Sequence, residues 1–208
     1  MMRDGHGTGT AIPEERRAAM TTTTKGSARD RLLDAADELF YAEGVHAVGI
    51  DRVIERAGVA KASLYNTFGS KDALVGEYLG RRQDAVLARI ESRVARGGTP
   101  RERVLAVFDA QAETITRPGY RGCAFIAASA ETEPGSTVER RSDEFRARLR
   151  ELLTELAREG GAPDAEALGR QLHMLYDGVS IGARMDRDPE VAVVARRTVV
   201  MLLDAAGL

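Results

Sequence analysis

The sequence predicts an all-α protein of about nine helices, and three observations lead to that prediction. After Ser27, apolar residues recur at the three- and four-residue spacing of amphipathic helices. Capping residues or prolines precede these segments, and glycines follow several of them. Nowhere does an apolar-polar alternation persist between two turn signals, so no β-sheet is expected.

Composition restricts the classes of protein to which the chain can belong. It has 208 residues, of which 43% are hydrophobic and 30% charged, a balance typical of soluble globular domains. The net charge of −2 excludes a histone-like polycation. No long apolar run or secretory signal is visible, so we expect a cytoplasmic protein without a membrane segment. Three scattered histidines and the single Cys123 predict neither a metal site nor a cofactor.

Residues 1–26 differ in composition from the rest of the chain and predict a flexible tail. The runs GHGTGT and TTTT lack apolar periodicity, and basic residues outnumber acidic ones by one. The tail could be an arm that touches nucleic-acid phosphate. We favour the alternative, an extension without a binding role or a misassigned start.

The first helix is predicted from Ser27, a good N-cap with Asp30 at the third helical position, to a stop at Gly44. Two short amphipathic segments follow, at about 50–57 and 61–68, and Gly58 occupies the tight turn between them. Their length and turn chemistry are those of a helix-turn-helix. The second segment would present small or polar side chains to a major groove, namely Lys61, Ala62, Ser63, Tyr65, Asn66 and Thr67.

Charge is distributed unevenly around this motif. Residues 27–75 contain six basic and eight acidic residues, whereas residues 52–71 contain four basic residues and one acid. The sequence therefore predicts a positive edge and a negative back, as a groove-docking module requires. The alternative at this point is a solvated helical hairpin with no role in DNA binding.

Later helix boundaries follow from the same kinds of signal. Ser70 would cap a long helix, and capping boxes are predicted at residues 99–102 and 136–139. Gly160-Gly161 would end the helix that begins near Ser136. The last two helices, at about 164–184 and 189–206, would begin at Asp164 and at Asp188-Pro189.

The segment RLLDAADELFYAEGVHAVGIDRVIERAGVAKASLYNTFGSKDAL, within residues 28–74, closely resembles the N-terminal DNA-binding domain of the TetR family of transcriptional regulators. Its most specific portion is AGVAKASLYNTFGSKDAL, and RGCAFIAASAE resembles one C-terminal subtype. The resemblance implies a helix-turn-helix domain over residues 27–72 and a larger helical domain over 73–208 that binds a ligand and dimerises. It also implies DNA contacts from Gly49, Lys61, Ala62, Ser63, Tyr65, Asn66, Thr67 and Lys71.

The sequence departs from the family pattern at four positions of the helix-turn-helix domain. Gly49 and Ala60 stand where the family usually has hydroxyl side chains, so phosphate anchoring is expected to be thinner. Asn66 and Thr67 replace bulkier ring residues, so the operator sequence does not transfer from relatives.

In the larger domain we expect a largely apolar ligand cavity with few polar groups. Its candidate wall residues are Phe108, Cys123, Phe125, Leu149 and Leu175. Cys123 could act as a redox sensor, but a small buried apolar residue is the favoured interpretation.

The last two helices are predicted to form a dimer interface, with intramolecular packing as the alternative. The candidate interface residues are Leu168, Leu172, Leu175, Tyr176, Val179, Val191, Val194, Thr198 and Leu202.

Together these features predict a DNA-binding transcriptional regulator rather than an enzyme. The favoured form is a homodimeric repressor that a small apolar ligand releases from near-palindromic, double-stranded operator DNA. The alternative is an all-α small-molecule-binding protein or enzyme without a role on DNA, although no catalytic signature stands out.

Overall fold

The computed structural model of the protein describes residues 26–130 and 132–208, and these residues form nine α-helices. The predicted all-α fold is confirmed. The predicted tail lies almost entirely outside the described residues, which begin at Gly26. The helices are α1 Ala28–Glu43, α2 Ile50–Ala57, α3 Lys61–Phe68, α4 Lys71–Val94, α5 Pro100–Ile115, α6 Ala124–Ser129, α7 Thr137–Glu159, α8 Ala165–Met185 and α9 Glu190–Ala205.

Helices α1–α3 form the N-terminal head. Leu32 of α1, Val53 of α2 and Leu64 of α3 are fully buried and meet in its core. Gly58 adopts the left-handed conformation, with φ 62° and ψ 45°, which a side chain would resist. That turn sets α3 at an angle to α2, so the exposed face of α3 points away from the head's core.

Helices α4–α9 form the body. The 24-residue α4 packs against α5 and α7, α7 packs on α8, and α9 covers α5 and α8. Where α8 crosses α7, a Cβ on Gly169 of α8 would lie 2.2 Å from Oγ1 of Thr154 on α7. Glycine at that position is therefore what lets the two helices approach. The predicted domain boundary at residue 72 falls within the first turn of α4, and one apolar core runs through head and body.

N-caps divide the helices into two groups. An N-cap side chain accepts a backbone N–H at the start of α1, α4, α5, α7 and α8. Helices α2, α3, α6 and α9 have no side-chain cap, and the N-cap residues of α2 and α3 are Gly49 and Ala60. The capping box predicted at residues 136–139 is only half formed, because the Glu139 carboxylate accepts the N–H of Gly135 rather than that of Ser136.

Tyr41 and Arg82 join the head to the body. The Arg82 guanidinium on α4 donates two hydrogen bonds to Asp37 on α1, at 2.5 and 2.8 Å, and lies 3.8 Å above the ring of Tyr41. The Tyr41 hydroxyl donates to the carbonyl of Gly122 at 3.0 Å and accepts the N–H of Arg121 at 2.9 Å. Helix α1 is thus attached both to α4 and to the loop that precedes α6.

We expect Tyr41→Phe to lower the free energy of unfolding by about 1 kcal/mol, because it removes both hydrogen bonds of the hydroxyl while it keeps the ring. Urea denaturation measures the change. The matched control is Tyr120→Phe, whose hydroxyl makes only a long 3.4 Å contact with the carbonyl of Ser180. Equal losses for the two variants would contradict a specific bridge at Tyr41.

We expect Ala60→Ser to raise the free energy of unfolding by about 1 kcal/mol. Ala60 already has the extended conformation of an N-cap, with φ −72° and ψ 148°, so a serine hydroxyl there can accept a free N–H of α3. Chemical denaturation compares it with Ala62→Ser, which adds the same side chain inside the helix. Stabilisation by both substitutions, or by neither, would show that the missing cap is not the cause.

Candidate DNA-binding surface and small-molecule cavity

Helix α3 exposes most of the residues that the sequence predicted as DNA contacts. Leu64 anchors the helix in the core, while Tyr65, the next residue along α3, is 45% exposed. Ser63 and Lys71 are half-buried, and Gly49 is exposed at the start of α2. The remaining predicted contacts are all exposed, namely Lys61, Ala62, Asn66 and Thr67. The turn of the motif thus brings the predicted contacts to one accessible end of the head.

Hydrogen bonds within the head modify what two of these side chains can do. The Thr67 hydroxyl donates to the Ser63 carbonyl at 2.6 Å, so it is left to accept from a base or a bound water. Lys61 Nζ lies 2.9 Å from a carboxylate oxygen of Asp51, and this hydrogen bond raises the pKa of Lys61. To bind DNA, Lys61 would therefore have to leave Asp51.

In the structure, the predicted positive edge and negative back of the head are only partly separated. Arg52 pairs with Glu43 through two hydrogen bonds, and Arg56 pairs with Glu38 at 2.7 Å. The acids of α1 fold toward the cations of α2, which sequence position alone did not reveal. These pairs are exposed and contribute little stability, so phosphate can displace them.

Lys71 differs from these paired cations. Burial lowers the pKa of Lys71. Among the residues that the structure describes, no carboxylate forms an ion pair with Lys71. It lies in the first turn of α4, directly after α3. The uncapped starts of α2 and α3 add free backbone N–H groups to the same surface, and helix N-termini favour anions such as phosphate.

A cavity of about 250 Å³ lies between helices α4–α8 of the body, the loop before α6 and Tyr41 of α1. Of the predicted wall residues, Cys123 and Phe125 line it, whereas Phe108, Leu149 and Leu175 do not. Phe108 and Leu149 are buried in the core, and Leu175 packs against it. Aromatic rings form much of the wall, from Tyr41, Tyr120, Phe125, Phe145 and Tyr176.

This cavity is more polar than the sequence predicted. Its wall includes three arginines, Gln111, Thr114 and Ser180. Burial raises the pKa of Tyr120 to about 12, so its hydroxyl remains protonated at neutral pH. Sequence reasoning missed Arg89 and Gln111. The one signal that could have indicated Arg89 is its position three residues after Val86 and seven after Arg82, on the same face of α4.

Cys123 stands at the N-cap of α6 without forming a side-chain cap. Burial raises the pKa of the Cys123 thiol, which disfavours the reactive thiolate. The raised pKa supports the interpretation of Cys123 as a small packing residue rather than a redox sensor.

The structure divides the predicted interface residues between core and surface. Leu168, Leu172, Tyr176 and Val179 are buried within one chain and present almost no surface to a partner. Leu175, Val191, Thr198 and Leu202 are half-buried, and Val194 is 60% exposed. Most of the stripe predicted on α8 therefore packs on the core, whereas none of the residues predicted on α9 is buried. The large apolar residues exposed on α8 and α9 are Met174, Ile181, Met185, Val193, Val194 and Met201, of which only Val194 was predicted.

Two further properties concern the described chain as a whole. Within residues 26–130 and 132–208, no helix has both the length and the hydropathy needed to cross a bilayer. In the same residues, no three potential metal-ligating side chains cluster together.

Comparison with known proteins agrees with the geometry of the head. Residues 32–78 match the family model described as bacterial regulatory proteins of the tetR family. The activator FasR of Mycolicibacterium smegmatis is 36% identical over 95 residues, 45% of this chain and 43% of FasR. The repressor KstR2 of Mycobacterium tuberculosis is 34% identical over 89 residues, 43% of this chain and 44% of KstR2. These matches span less than half the length of either relative.

A solved structure extends the similarity to the body. A TetR-family transcriptional regulator from Streptomyces coelicolor superposes with a TM-score of 0.83 and is 36% identical. The match covers 87% of this chain and 96% of that one. The chain belongs to the TetR family of transcriptional regulators.

Proposed function

We propose that the protein is a homodimeric repressor that binds near-palindromic operator DNA and is released by a small molecule. The observation that carries this proposal is α3, whose polar face is exposed while Leu64 fixes it to the head. The names of the relatives include both an activator and a repressor, and we favour repression.

On DNA, α3 would enter the major groove and the surrounding groups would bind phosphate. Lys61 and Asn66 are the candidates for reading base edges, because amide and ammonium groups hydrogen-bond there. Lys71 and the free N–H groups at the start of α2, beside Gly49, would hold the backbone. Ala62, Ser63, Tyr65 and Thr67 complete the proposed contact surface. In a dimer the two α3 helices would lie about 34–36 Å apart, one turn of the duplex.

The exposed apolar stripes on α8 and α9 support dimerisation. Met174, Gly178, Ile181 and Met185 recur at helical spacing on one face of α8. A helical glycine costs about 1 kcal/mol relative to alanine, yet nothing in the described chain lies within 4 Å of a Cβ added at Gly178. A second copy of the chain that packs closely against α8 at this point would explain why the residue is a glycine. Val194 and Met201 extend the apolar surface onto α9.

The cavity supports a ligand response because its wall includes Tyr41 and Arg82, the residues that hold α1. A ligand there would contact the attachment of the head directly, as well as α4. Release from DNA requires that the ligand bind the DNA-free arrangement more tightly; a tenfold effect on operator affinity corresponds to about 1.4 kcal/mol.

We expect Lys71→Ala to weaken binding to operator and random DNA equally and to reduce the dependence of log affinity on log salt by about one unit, because phosphate carries no base information. Asn66→Ala should cost about 1–3 kcal/mol on the operator alone if it reads a base. Gel-shift titrations over a salt series measure both, with an operator obtained by selection from random duplexes. Loss of affinity in the same proportion on both DNAs for the two variants would contradict this division of roles.

We expect the protein to sediment as a dimer at micromolar concentration, and Ile181→Arg or Met201→Arg to weaken the dimer at least tenfold. Each substitution would place an unpaired charge in an apolar contact. Sedimentation equilibrium makes the measurement. Ala88→Arg, which adds the same charge on an exposed part of α4, is the control and should remain dimeric. A monomeric parent protein, or dimerisation unaffected at both sites, would overturn the proposed interface.

A further inference from the structure

The wall of the cavity carries an excess of positive charge. Arg82, Arg89 and Arg117 line it, and no carboxylate is among its lining residues in the described chain. The charge of Arg82 is matched outside the cavity by Asp37. Arg89 and Arg117 have no such ion pair with any of the residues that the structure describes.

Arg89 is the better-placed of these two cations. Its guanidinium donates one hydrogen bond, at 3.0 Å, to the hydroxyl of Thr114, which in turn donates to the Ala110 carbonyl. Burial and the nearby charge of Arg117 both lower the pKa of Arg89. A partly desolvated cation that faces another cation is unfavourable until an anion lies between them.

The rest of the wall defines the body of the ligand. Five aromatic rings line the cavity, and those of Phe125 and Phe145 stack in parallel with centroids 4.2 Å apart. A volume of about 250 Å³ lies just below the range of about 300–1000 Å³ typical of small-molecule pockets. These walls suit a compact, flat, apolar group such as a single aromatic ring.

A second polar requirement comes from Gln111, a residue that is 3% exposed. Its Nε2 donates to the carbonyl of Tyr176 at 2.6 Å and to the hydroxyl of Ser180 at 3.0 Å. A carbonyl only accepts, so Nε2 must face Tyr176 and Oε1 is turned away from it. Oε1 is buried and has no hydrogen-bond partner in the described chain. Gln111 is part of the cavity wall and thus has one acceptor that is not yet used.

We infer that the cavity binds a small aromatic carboxylate that also carries a hydrogen-bond donor, such as a ring hydroxyl. The carboxylate would lie between Arg89 and the exposed Arg117 at the rim, and the donor would reach Gln111 on the inner wall. This inference rests on the proposed ligand response, since it names the chemical class that would occupy the same cavity.

Isothermal titration calorimetry of the full chain at pH 7, without DNA, tests the inference. The probe is 4-hydroxybenzoate, because its two polar groups lie at opposite ends of one ring. Its neutral counterpart, 4-hydroxybenzamide, should bind at least tenfold more weakly, since it cannot neutralise the arginines. Benzoate should bind several-fold more weakly than 4-hydroxybenzoate, since it leaves Gln111 Oε1 without a donor.

Substitutions assign the charge preference to the cavity. Arg89→Gln should reduce the preference for acid over amide to less than threefold, whereas Arg89→Lys should keep most of it. The control is Arg93→Gln, four residues further along α4, where the arginine pairs with Glu113 and does not line the cavity. It should bind all three probes like the parent protein.

Several results would overturn the inference. These are no binding of 4-hydroxybenzoate at millimolar concentration, equal affinity for acid and amide, and an unchanged preference in Arg89→Gln. If benzoate binds as tightly as 4-hydroxybenzoate, the proposed hydrogen bond from a ligand donor to Gln111 is disproved.

Operator gel shifts without any probe test the proposed function separately. A chain that binds its operator but none of the probes disproves the ligand class alone, and one that binds the probes but no DNA disproves the regulator alone.

Discussion

The ion pair of Arg82 with Asp37, stacked over the ring of Tyr41, is the least exposed of the three ion pairs that join α1 of the head to α4 of the body within the described chain. Both charged side chains are only partly exposed, so loss of either partner would leave a charge that water cannot fully solvate. Tyr41 is held by this stack on one face and by the loop at Gly122 through its hydroxyl. The same ring forms part of the cavity wall. Tyr41 therefore connects the head, the loop before α6 and the cavity wall. A displacement of any of these three parts would change the contacts that Tyr41 makes with the other two.

The head gives up local stability at the helices proposed to meet DNA. The starts of α2 and α3 have no side-chain cap, although most helices in the described body have one. Free N–H groups lower the stability of these helices in the unbound protein, but they can donate hydrogen bonds to phosphate. A departure from the local rules of helix formation thus coincides with the proposed functional surface, as is common in proteins.

The sequence predicted those features that neighbouring residues determine. Caps such as Ser27 and the left-handed Gly58 are set within a few positions, so helix boundaries and the helix-turn-helix could be predicted. Contacts between distant residues could not. The bridge from Tyr41 to Gly122 spans 81 positions, and the pairing of Arg52 with Glu43 depends on how α1 crosses α2. Most of the interface residues predicted on α8 are covered by the chain's own core, whereas those predicted on α9 are half-buried or exposed.

The exposed pairs of Arg52, Arg56 and Lys61 with carboxylates bear on how the protein would search a genome. A cation that must leave a carboxylate before it reaches phosphate gains less from any stretch of duplex than a free cation does. Affinity for random DNA would be held down as a result, and short residence on wrong sites would let one molecule sample many of them. At the correct site, base contacts would supply the affinity that these pairs withhold. The carboxylates of Glu38, Glu43 and Asp51 would thereby weaken DNA binding and shorten the search for the operator.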